Sequence, residues 1–257
     1  MTIGALFLAA AFLSEGAASA GAANIEGFLA AGDLDGAIRA GEAAVSREPG
    51  DSVAWDLLGR AVGLKAKGSS LLEQMRLARR ARACFEKAVT LDPSNVSARA
   101  DLATYDMRAP AFLGGGKEKA RRQIEEVRKL DPVRGHELAG ALAEREKDPA
   151  KAGAEYRLAV AAAPPGDRRA RSALSAFLVR QRRFAEASRL WKEALDRDPG
   201  DAQAAWELAG VALESGQDLE RAQRELEACL AAPGDPDGVS RDALRKRLAL
   251  VEAKRRG

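Results

Sequence analysis

The chain has 257 residues, of which 46% are hydrophobic, 31% charged and 5% aromatic. This balance disfavours a disordered chain, and the dense spread of charge excludes a protein with many membrane spans. One histidine and two cysteines leave little material for a metal site or a cysteine–histidine nucleophile. The composition therefore predicts a folded, noncatalytic chain that holds no metal and no cofactor.

The formal charge of +3 is concentrated at the end of the chain. From Val239 onward, seven cations stand against Asp242 and Glu252 alone, so the rest of the chain is slightly acidic. A nucleic-acid reader would show a basic face interleaved with exposed aromatic residues, and no such pattern occurs. We expect no nucleic-acid partner, and we expect the last segment to be a helix with a solvated basic face. Contact of that face with an anionic membrane surface is the less favoured alternative.

The first twenty residues have the pattern of a signal peptide. An uninterrupted apolar stretch runs from Ile3 to Leu13, too short to span a bilayer, and Ala18-Ser19-Ala20 fits the A-x-A cleavage pattern. The positive n-region is missing, because no Lys or Arg occurs before Arg39. We expect residues 1–20 to be a signal peptide and the protein to be exported to the bacterial periplasm or cell surface. The alternative is an apolar helix that stays in the fold of a cytoplasmic protein.

The remaining sequence has helical periodicity. Val and Ile are sparse, and apolar residues recur three and four positions apart, which predicts an all-α chain. An alanine is followed by a proline twelve residues later five times. Each proline should end a helix, because it lacks an N–H and clashes with the preceding turn. The five pairs are Ala37–Pro49, Ala81–Pro93, Ala120–Pro132, Ala152–Pro164 and Ala187–Pro199.

A first helix is predicted before each of these second helices. Its clearest copy is Trp55 followed by Leu58-Gly59, where the small residue would let two helices of a hairpin approach closely. Helix starts are marked by capping residues that follow the terminal prolines. These caps lie in Asp51-Ser52, Ser94-Asn95 and Gly200-Asp201, with Asp148-Pro149 as a further start, and the hairpin turns fall at Gly32-Asp33, Arg182-Arg183 and Gly216-Gln217.

Two stretches make the spacing irregular. About ten extra residues lie between Leu64 and Arg76, and Ser70-Leu71-Leu72-Glu73 reads as a capping box. Because Leu72 continues the apolar face of the following helix, this insertion is predicted to lengthen helices and not to add a loop. The second stretch, 109–116, is predicted to be an ordered loop. It lacks the Ser or Thr after Lys117 that a phosphate-binding loop needs.

These features together resemble the tetratricopeptide repeat, over about residues 21–238. The resemblance implies a right-handed α-solenoid of stacked helix hairpins with a concave groove, and the last residues, 239–257, are expected to form a capping helix. Stacking of the hairpins is also expected on physical grounds, since one hairpin cannot bury its own apolar face. The expected units are 21–51, 52–95, 96–134, 135–167, 168–201 and 202–238. The motif residues are Trp55, Gly59, Ala81, Phe85, Pro93, Ala120, Pro132, Ala187, Trp191 and Pro199.

The capping helix is expected to start at Ser240. Its buried face should hold Ala243, Leu244, Leu248 and Val251, and its outer face Arg245, Lys246, Arg247 and Lys254.

The resemblance also implies where a partner would bind. In this family the first helices line the groove, and side chains just after the first large residue, and one and two turns later, point inward. Carried over by position, these residues are Asp56, Arg60, Leu64, Ala100, Thr104, Met107, Ala139, Ala143, Glu146, Ser172, Ala176, Val179, Trp206, Gly210 and Leu213. Such a mixture suits an extended peptide or a partner helix, with Arg60 and Trp206 as anchors. The alternative for Trp206 is packing against the next hairpin.

We therefore expect a noncatalytic protein–protein interaction scaffold that binds a protein or peptide partner in the groove. The alternative is a small-molecule or lipid carrier built on the same solenoid. His136 is expected to be a partly exposed histidine at a helix start, with a groove-facing ligand as the alternative. Cys84 and Cys229 lie on apolar helical faces and are expected to be buried structural thiols.

Overall fold

A computed structural model of the chain describes residues 19–164, 166–232 and 238–256. Regular structure in these ranges consists of α-helices and one short 3-10 helix at Ala111–Leu113. The helices are α1 (Ala20–Ala30), α2 (Leu34–Arg47), α3 (Ser52–Ala66), α4 (Leu71–Leu91), α5 (Val96–Arg108), α6 (Lys117–Leu130), α7 (Pro132–Arg145), α8 (Pro149–Ala162), α9 (Arg169–Arg180), α10 (Phe184–Arg197), α11 (Ala202–Ser215), α12 (Leu219–Ala231) and α13 (Arg241–Arg256). The predicted signal peptide lies outside the described residues except for Ser19 and Ala20.

The chain divides into two compact units. Unit 1 is Met1–Leu102 with Pro110–Gly114, and unit 2 is Ala103–Ala109 with Gly115–Gly257. In unit 1 the hairpins α1–α2 and α3–α4 pack together through α3, which touches both helices of the first hairpin. In unit 2 each helix from α6 to α13 packs on the next, and α7, α9, α11 and α13 touch in succession. This is the packing of an all-α solenoid, as predicted.

The twelve-residue spacing from alanine to proline corresponds to the ends of the second helices in the structure. Each of the five second helices ends two residues before its proline, and each alanine of the rule is buried against the neighbouring helix. Pro132 is also the first residue of α7, behind the N-cap Asp131, whose carboxylate accepts the N–H of Arg134. The fourth first helix therefore begins at 132, three residues before the expected boundary at 135.

Close approach of the two helices explains the small residues of the first helices. A Cβ added at Gly59 would lie only 2.6 Å from Cε1 of Phe85, so α3 and α4 could not pack this closely with any larger residue. The fully buried Trp191 fills the equivalent place in unit 2. Its indole Nε1 donates a hydrogen bond of 2.8 Å to the hydroxyl of Ser175, which satisfies the polar end of a buried ring.

Turns and caps follow the predicted residues. Gly32, Arg182 and Gly216 adopt φ of +74°, +57° and +75° at the hairpin turns. The expected N-caps accept hydrogen bonds from the backbone N–H three residues on. These caps are Asp51, Asn95, Asp148 and Asp201.

The insertion lengthens α4 to 21 residues, as expected, but its first turn differs from the prediction. Ser70 occupies the N-cap position without a side-chain hydrogen bond to the helix, so the capping box is wrong. Glu73 instead pairs with Arg76, its Oε1 lying 2.6 Å from Nη2. Leu72 is 79% exposed and does not continue the buried face, because α4 runs past its packing partners at this end.

The loop at 109–116 is ordered, as predicted. A Cβ at Gly115 would lie 2.0 Å from the carbonyl oxygen of Ala109, so only glycine fits there. The N–H of Gly116 donates a hydrogen bond of 2.9 Å to the carbonyl of Asp106, which closes the turn between α5 and α6.

The last helix forms the predicted cap, with one correction. Leu244 and Val251 are fully buried, Ala243 and Leu248 pack partly against the same core, and Ser240 caps the helix. Contrary to the prediction, Arg247 does not lie on the basic outer face, because its guanidinium lies over the ring of Trp206. The reason is helical spacing, since Arg247 follows Leu244 by three residues and so stands at the edge of the buried stripe.

The histidine and the two thiols take structural places. Cys84 and Cys229 are both buried and unbonded, as expected, and burial raises the pKa of each thiol, that of Cys84 to about 11. The half-buried His136 has Nδ1 2.7 Å from Oε2 of Glu155, so it contacts α8. Among the described helices, none is both long and apolar enough to cross a membrane.

Candidate partner-binding face

Unit 1 holds a charged network between its first helices. Nε of Arg60, on α3, donates a hydrogen bond of 2.7 Å to Oδ2 of Asp101, on α5. The Asp101 side chain is 13% exposed and that of Arg60 34%, so the pair is only partly open to solvent. Burial lowers the pKa of the Arg60 guanidinium, but the carboxylates of Asp101 and Asp56 raise it by more. Arg60 is therefore held in one place, with a permanent charge.

Asp56 lies beneath this pair, and its residue is only 3% exposed. Its Oδ2 accepts a hydrogen bond of 2.7 Å from the hydroxyl of Ser97. Its Oδ1 is buried without a hydrogen-bond partner among the described residues. Burial, and next the negative charge of Asp101, raise the pKa of Asp56 to about 7, against the lowering influence of Arg60 and Ser97. Asp56 supports the network from below and is not itself a surface contact.

Three structural facts make this surface of unit 1 a recognition candidate. Among the described residues, Arg60 makes its hydrogen bond through Nε alone, which leaves both Nη groups as donors on a side chain that is one third exposed. Leu64, one turn along α3, is half-buried and supplies apolar area beside the charge. Glu26 of α1 is exposed and close enough to influence the pKa of Arg60. We call Glu26, Arg60, Leu64 and Asp101 the α3 face, with Asp56 buried beneath it.

The predicted positions around α5 and α7 are less available. Thr104 is half-buried, and Met107 is buried at 8% exposure, so Met107 offers almost no surface to a partner. Ala139 and Ala143 of α7 are also buried, because small residues there let the neighbouring helices approach. Glu146 is at the end of α7 and forms an ion pair with Arg121 of α6.

Further along unit 2, a polar cluster joins α9 and α11. The hydroxyl of Ser172 donates a hydrogen bond of 3.0 Å to Oε1 of Glu207, and Nε2 of Gln203 lies 3.2 Å from the same oxygen. Burial raises the pKa of Glu207, while these two hydrogen bonds lower it. Ala176 is exposed and Val179 is half-buried on the same helix as Ser172.

Trp206 follows the second of the two alternatives that the sequence left open, since it packs on its neighbours. The ring is half-buried and packs on the core of unit 2, and its other side is covered by Arg247, whose Cζ lies 3.5 Å from the ring centroid. Nη1 of Arg247 also donates to the carbonyl oxygen of Trp206 at 3.3 Å. A Cβ at Gly210 would stand 2.6 Å from that nitrogen, so the glycine makes room for the arginine. Leu213 is half-buried against the same core. The last helix thus occupies the place where a partner would meet Trp206.

Several residues of these clusters are not among the positions carried over from the family, including Glu26 and Gln203. Ser97, Asp101 and Glu207 lie on first helices but outside the carried-over positions, and Arg247 comes from the capping helix. The spacing of opposite charges in the sequence could have indicated the pair of Arg60 and Asp101. Arg60 and Asp101 are 41 residues apart, about one repeat, so opposite charges on consecutive first helices would have nominated the pair.

The fold has several relatives among solved structures. A thermophilic TPR protein of Thermus thermophilus aligns over 77% of this chain and all of its own, with 21% identity and a TM-score of 0.57. Pseudomonas aeruginosa pilF aligns over 91% and 96% of the two chains, with 15% identity and a TM-score of 0.53. The Cut9 and Hcn1 assembly of the APC/C contains a chain that aligns over 89% of this one and 42% of its own length, with 16% identity and a TM-score of 0.52. At these identities, the similarity concerns the fold alone.

Sequence comparison gives the family itself. No curated protein matches the chain significantly. Two sequence models described as tetratricopeptide repeat do match, one at residues 107–167 and 178–239, the other at 67–95, and together they cover more than half of the chain. These matches fall on the hairpins whose alanines, prolines and glycines are described above. The chain belongs to the tetratricopeptide-repeat family.

Proposed function

We propose that the protein is a noncatalytic scaffold that binds a protein partner, as an extended peptide or a helix, on the α3 face. Family membership supports protein interaction in general terms. The observation that carries the finer proposal is the fixed guanidinium of Arg60, held by Asp101 and supported by the buried Asp56. Placing charged groups in a partly dehydrated site costs free energy, and a purely structural contact between α3 and α5 would not need them.

The chemistry of the α3 face suits a peptide. The Nη groups of Arg60 can donate to a backbone carbonyl or a side-chain carboxylate of the partner, and Leu64 beside them offers an apolar contact. A positioned arginine surrounded by partly buried groups is typical of a binding hot spot.

Site-specific photocrosslinking in the source cells tests this proposal. A benzophenone amino acid replaces Leu64 on the α3 face and, as the matched control, the exposed Thr90 of α4 in the same unit. We expect a discrete protein adduct from position 64 only, and we expect Arg60→Ala to abolish it while Arg60→Lys retains part of it. Equal labelling at the two positions, or adducts that ignore the Arg60→Ala change, would refute binding at this face.

We also propose that the protein acts in the bacterial cell envelope. The support is the apolar stretch from Ile3 to Leu13 and the A-x-A pattern at Ala18-Ser19-Ala20. Ser19 is the N-cap of α1, and its hydroxyl donates a hydrogen bond of 2.6 Å to Oδ2 of Asp51. Cleavage after Ala20 would remove this cap. N-terminal sequencing of the protein from its source decides the matter, since a start at Gly21 supports export and an uncut N-terminus opposes it.

A carrier function is the second candidate, favoured by one observation. An open depression of about 490 Å³ lies between α2, α3 and α4, lined in part by Val45, Trp55 and Cys84. Its rim carries the ion pair between Arg80 and Glu42, with Nη2 and Oε1 2.5 Å apart. Native mass spectrometry of the gently purified chain separates the candidates. A retained small molecule supports a carrier, and its absence supports the scaffold.

A further inference from the structure

The three most exposed large hydrophobic side chains among the described residues belong to unit 1. Leu71 and Leu72 begin α4 and are 74% and 79% exposed, and Phe112 of the short 3-10 helix is 67% exposed. The 3-10 helix packs on α4, and Gly114 just after it lies against Arg82 of that helix. We call Leu71 and Leu72, which are adjacent at the start of α4, the α4 edge.

The length of α4 explains why these leucines are uncovered. This helix has 21 residues, whereas α6, α8 and α10 have 14 each, so it is about 10 Å longer at 1.5 Å per residue. Its first buried residue is Leu77. The first turn and a half therefore extends past the packed part of the hairpin and carries its leucines into solvent.

The positive potential of this extension has two sources, its basic side chains and the helix dipole. Residues 67–79 hold three cations, Lys67, Arg76 and Arg79, against the single carboxylate of Glu73, which pairs with Arg76. The helix N-terminus adds the positive end of the helix dipole, and the Ser70 side chain makes no cap hydrogen bond there. N–H groups at a helix N-terminus bind phosphate oxygens well. The leucines are thus set beside groups that attract anions.

We propose that the α4 edge docks on the surface of an anionic lipid bilayer. Leu71 and Leu72 enter the interfacial region, while the exposed Arg79 and the N-terminus of α4 meet lipid phosphates. Apolar side chains combined with adjacent basic charge are what binding to an anionic membrane surface requires. A purely apolar protein partner would gain nothing from this charge. The inference is independent of the α3 face and of the peptide it is proposed to bind.

Sedimentation with vesicles tests the proposal on the full chain. The vesicles are phosphatidylcholine alone, or phosphatidylcholine with about one third phosphatidylglycerol. We expect binding to the anionic vesicles, weakened by salt, and a decrease of about tenfold or more in partitioning for Leu71→Ser/Leu72→Ser. Arg79→Gln should reduce partitioning by about fivefold. Leu250→Ser is the matched control, because Leu250 is 58% exposed on the basic helix α13, and it should leave binding nearly unchanged.

A fluorescent label locates the contact. Cys84 and Cys229 are buried, so a cysteine placed at position 72 or 250 is labelled selectively with an environment-sensitive dye. A blue shift with anionic vesicles at 72 but not at 250 supports the α4 edge. The proposal is overturned by a shift at 250 alone, or by a double serine variant that sediments like the unchanged protein. It is also overturned if vesicles do not bind and the leucines instead hold two copies of the chain together in sedimentation velocity.

Discussion

The buried carboxyl of Asp56 should make the stability of the protein depend on pH in a defined direction. Its pKa rises from 3.8 to about 7 on folding, so the folded chain holds this proton more tightly than the unfolded chain does. Stability from this group is fully present below about pH 4 and is lost as the pH rises to about 7. At 1.36 kcal/mol per pKa unit, the loss has an upper bound of about 4 kcal/mol.

Asp56→Asn removes the titration and keeps an acceptor for the Ser97 hydroxyl. Urea unfolding at pH 4.5 and pH 8, followed by circular dichroism, measures the effect. We expect the unchanged protein to lose about 1–4 kcal/mol more than the variant between the two pH values. Other buried acids, such as Glu137 and Glu207, have pKa values raised by burial and contribute to the absolute slope. For this reason, the difference between the two proteins is the quantity to compare.

Ser97→Ala is the opposite control. It removes a hydrogen bond that favours the charged form of Asp56, so the loss of stability toward pH 8 should become steeper. If the curves of the unchanged protein and of Asp56→Asn run parallel from pH 4.5 to 8, the buried carboxyl does not have the pKa that its surroundings imply.

Further predictions concern packing. Gly59→Ala presses a methyl group into the Phe85 ring, which should cost about 1–3 kcal/mol. In the same helix, the nearest neighbour of a Gly63 Cβ is 3.8 Å away, so Gly63→Ala should gain up to about 1 kcal/mol of helix propensity; equal urea midpoints would contradict this. Arg247→Ala should increase acrylamide quenching of tryptophan fluorescence, because it uncovers Trp206, and Arg247→Met should do so less. Both native thiols should resist a thiol reagent at pH 8 until the chain is unfolded, and rapid reaction of either would disprove its burial.

Helix ends and turns can be predicted because their causes are local. A proline such as Pro93 stops a helix through its own ring, and Asp51 caps α3 through atoms three residues away. The packing of one hairpin on the next can also be predicted from the sequence, since repeats must bury their apolar faces on one another. The prediction for the first turn of α4 is wrong because the sequence pattern shows an apolar face and does not show whether any helix reaches it.

The charged contacts of the α3 face require knowledge of register. Arg60 meets Asp101 only because α3 and α5 lie side by side with a particular axial offset, and counting positions from Trp55 misses that partner. In the same way, the face of α13 that carries Arg247 depends on where Leu244 and Val251 seat the helix. Carrying the family's positions over one by one therefore does not predict contacts between repeats, although it does predict contacts within a hairpin.

The extra length of α4 has a consequence for protein engineering. It exceeds α2, α6, α8 and α10 by seven residues each, and at 100° per residue seven residues make almost two whole turns. The chain therefore enters α4 on nearly the same side as in a shorter hairpin, with Ala81 and Phe85 kept in their places. Shortening the helix by seven residues should preserve the angle at which the connection from α3 arrives, whereas removing five would turn it by about 140°. This hairpin can be trimmed or extended in steps of seven.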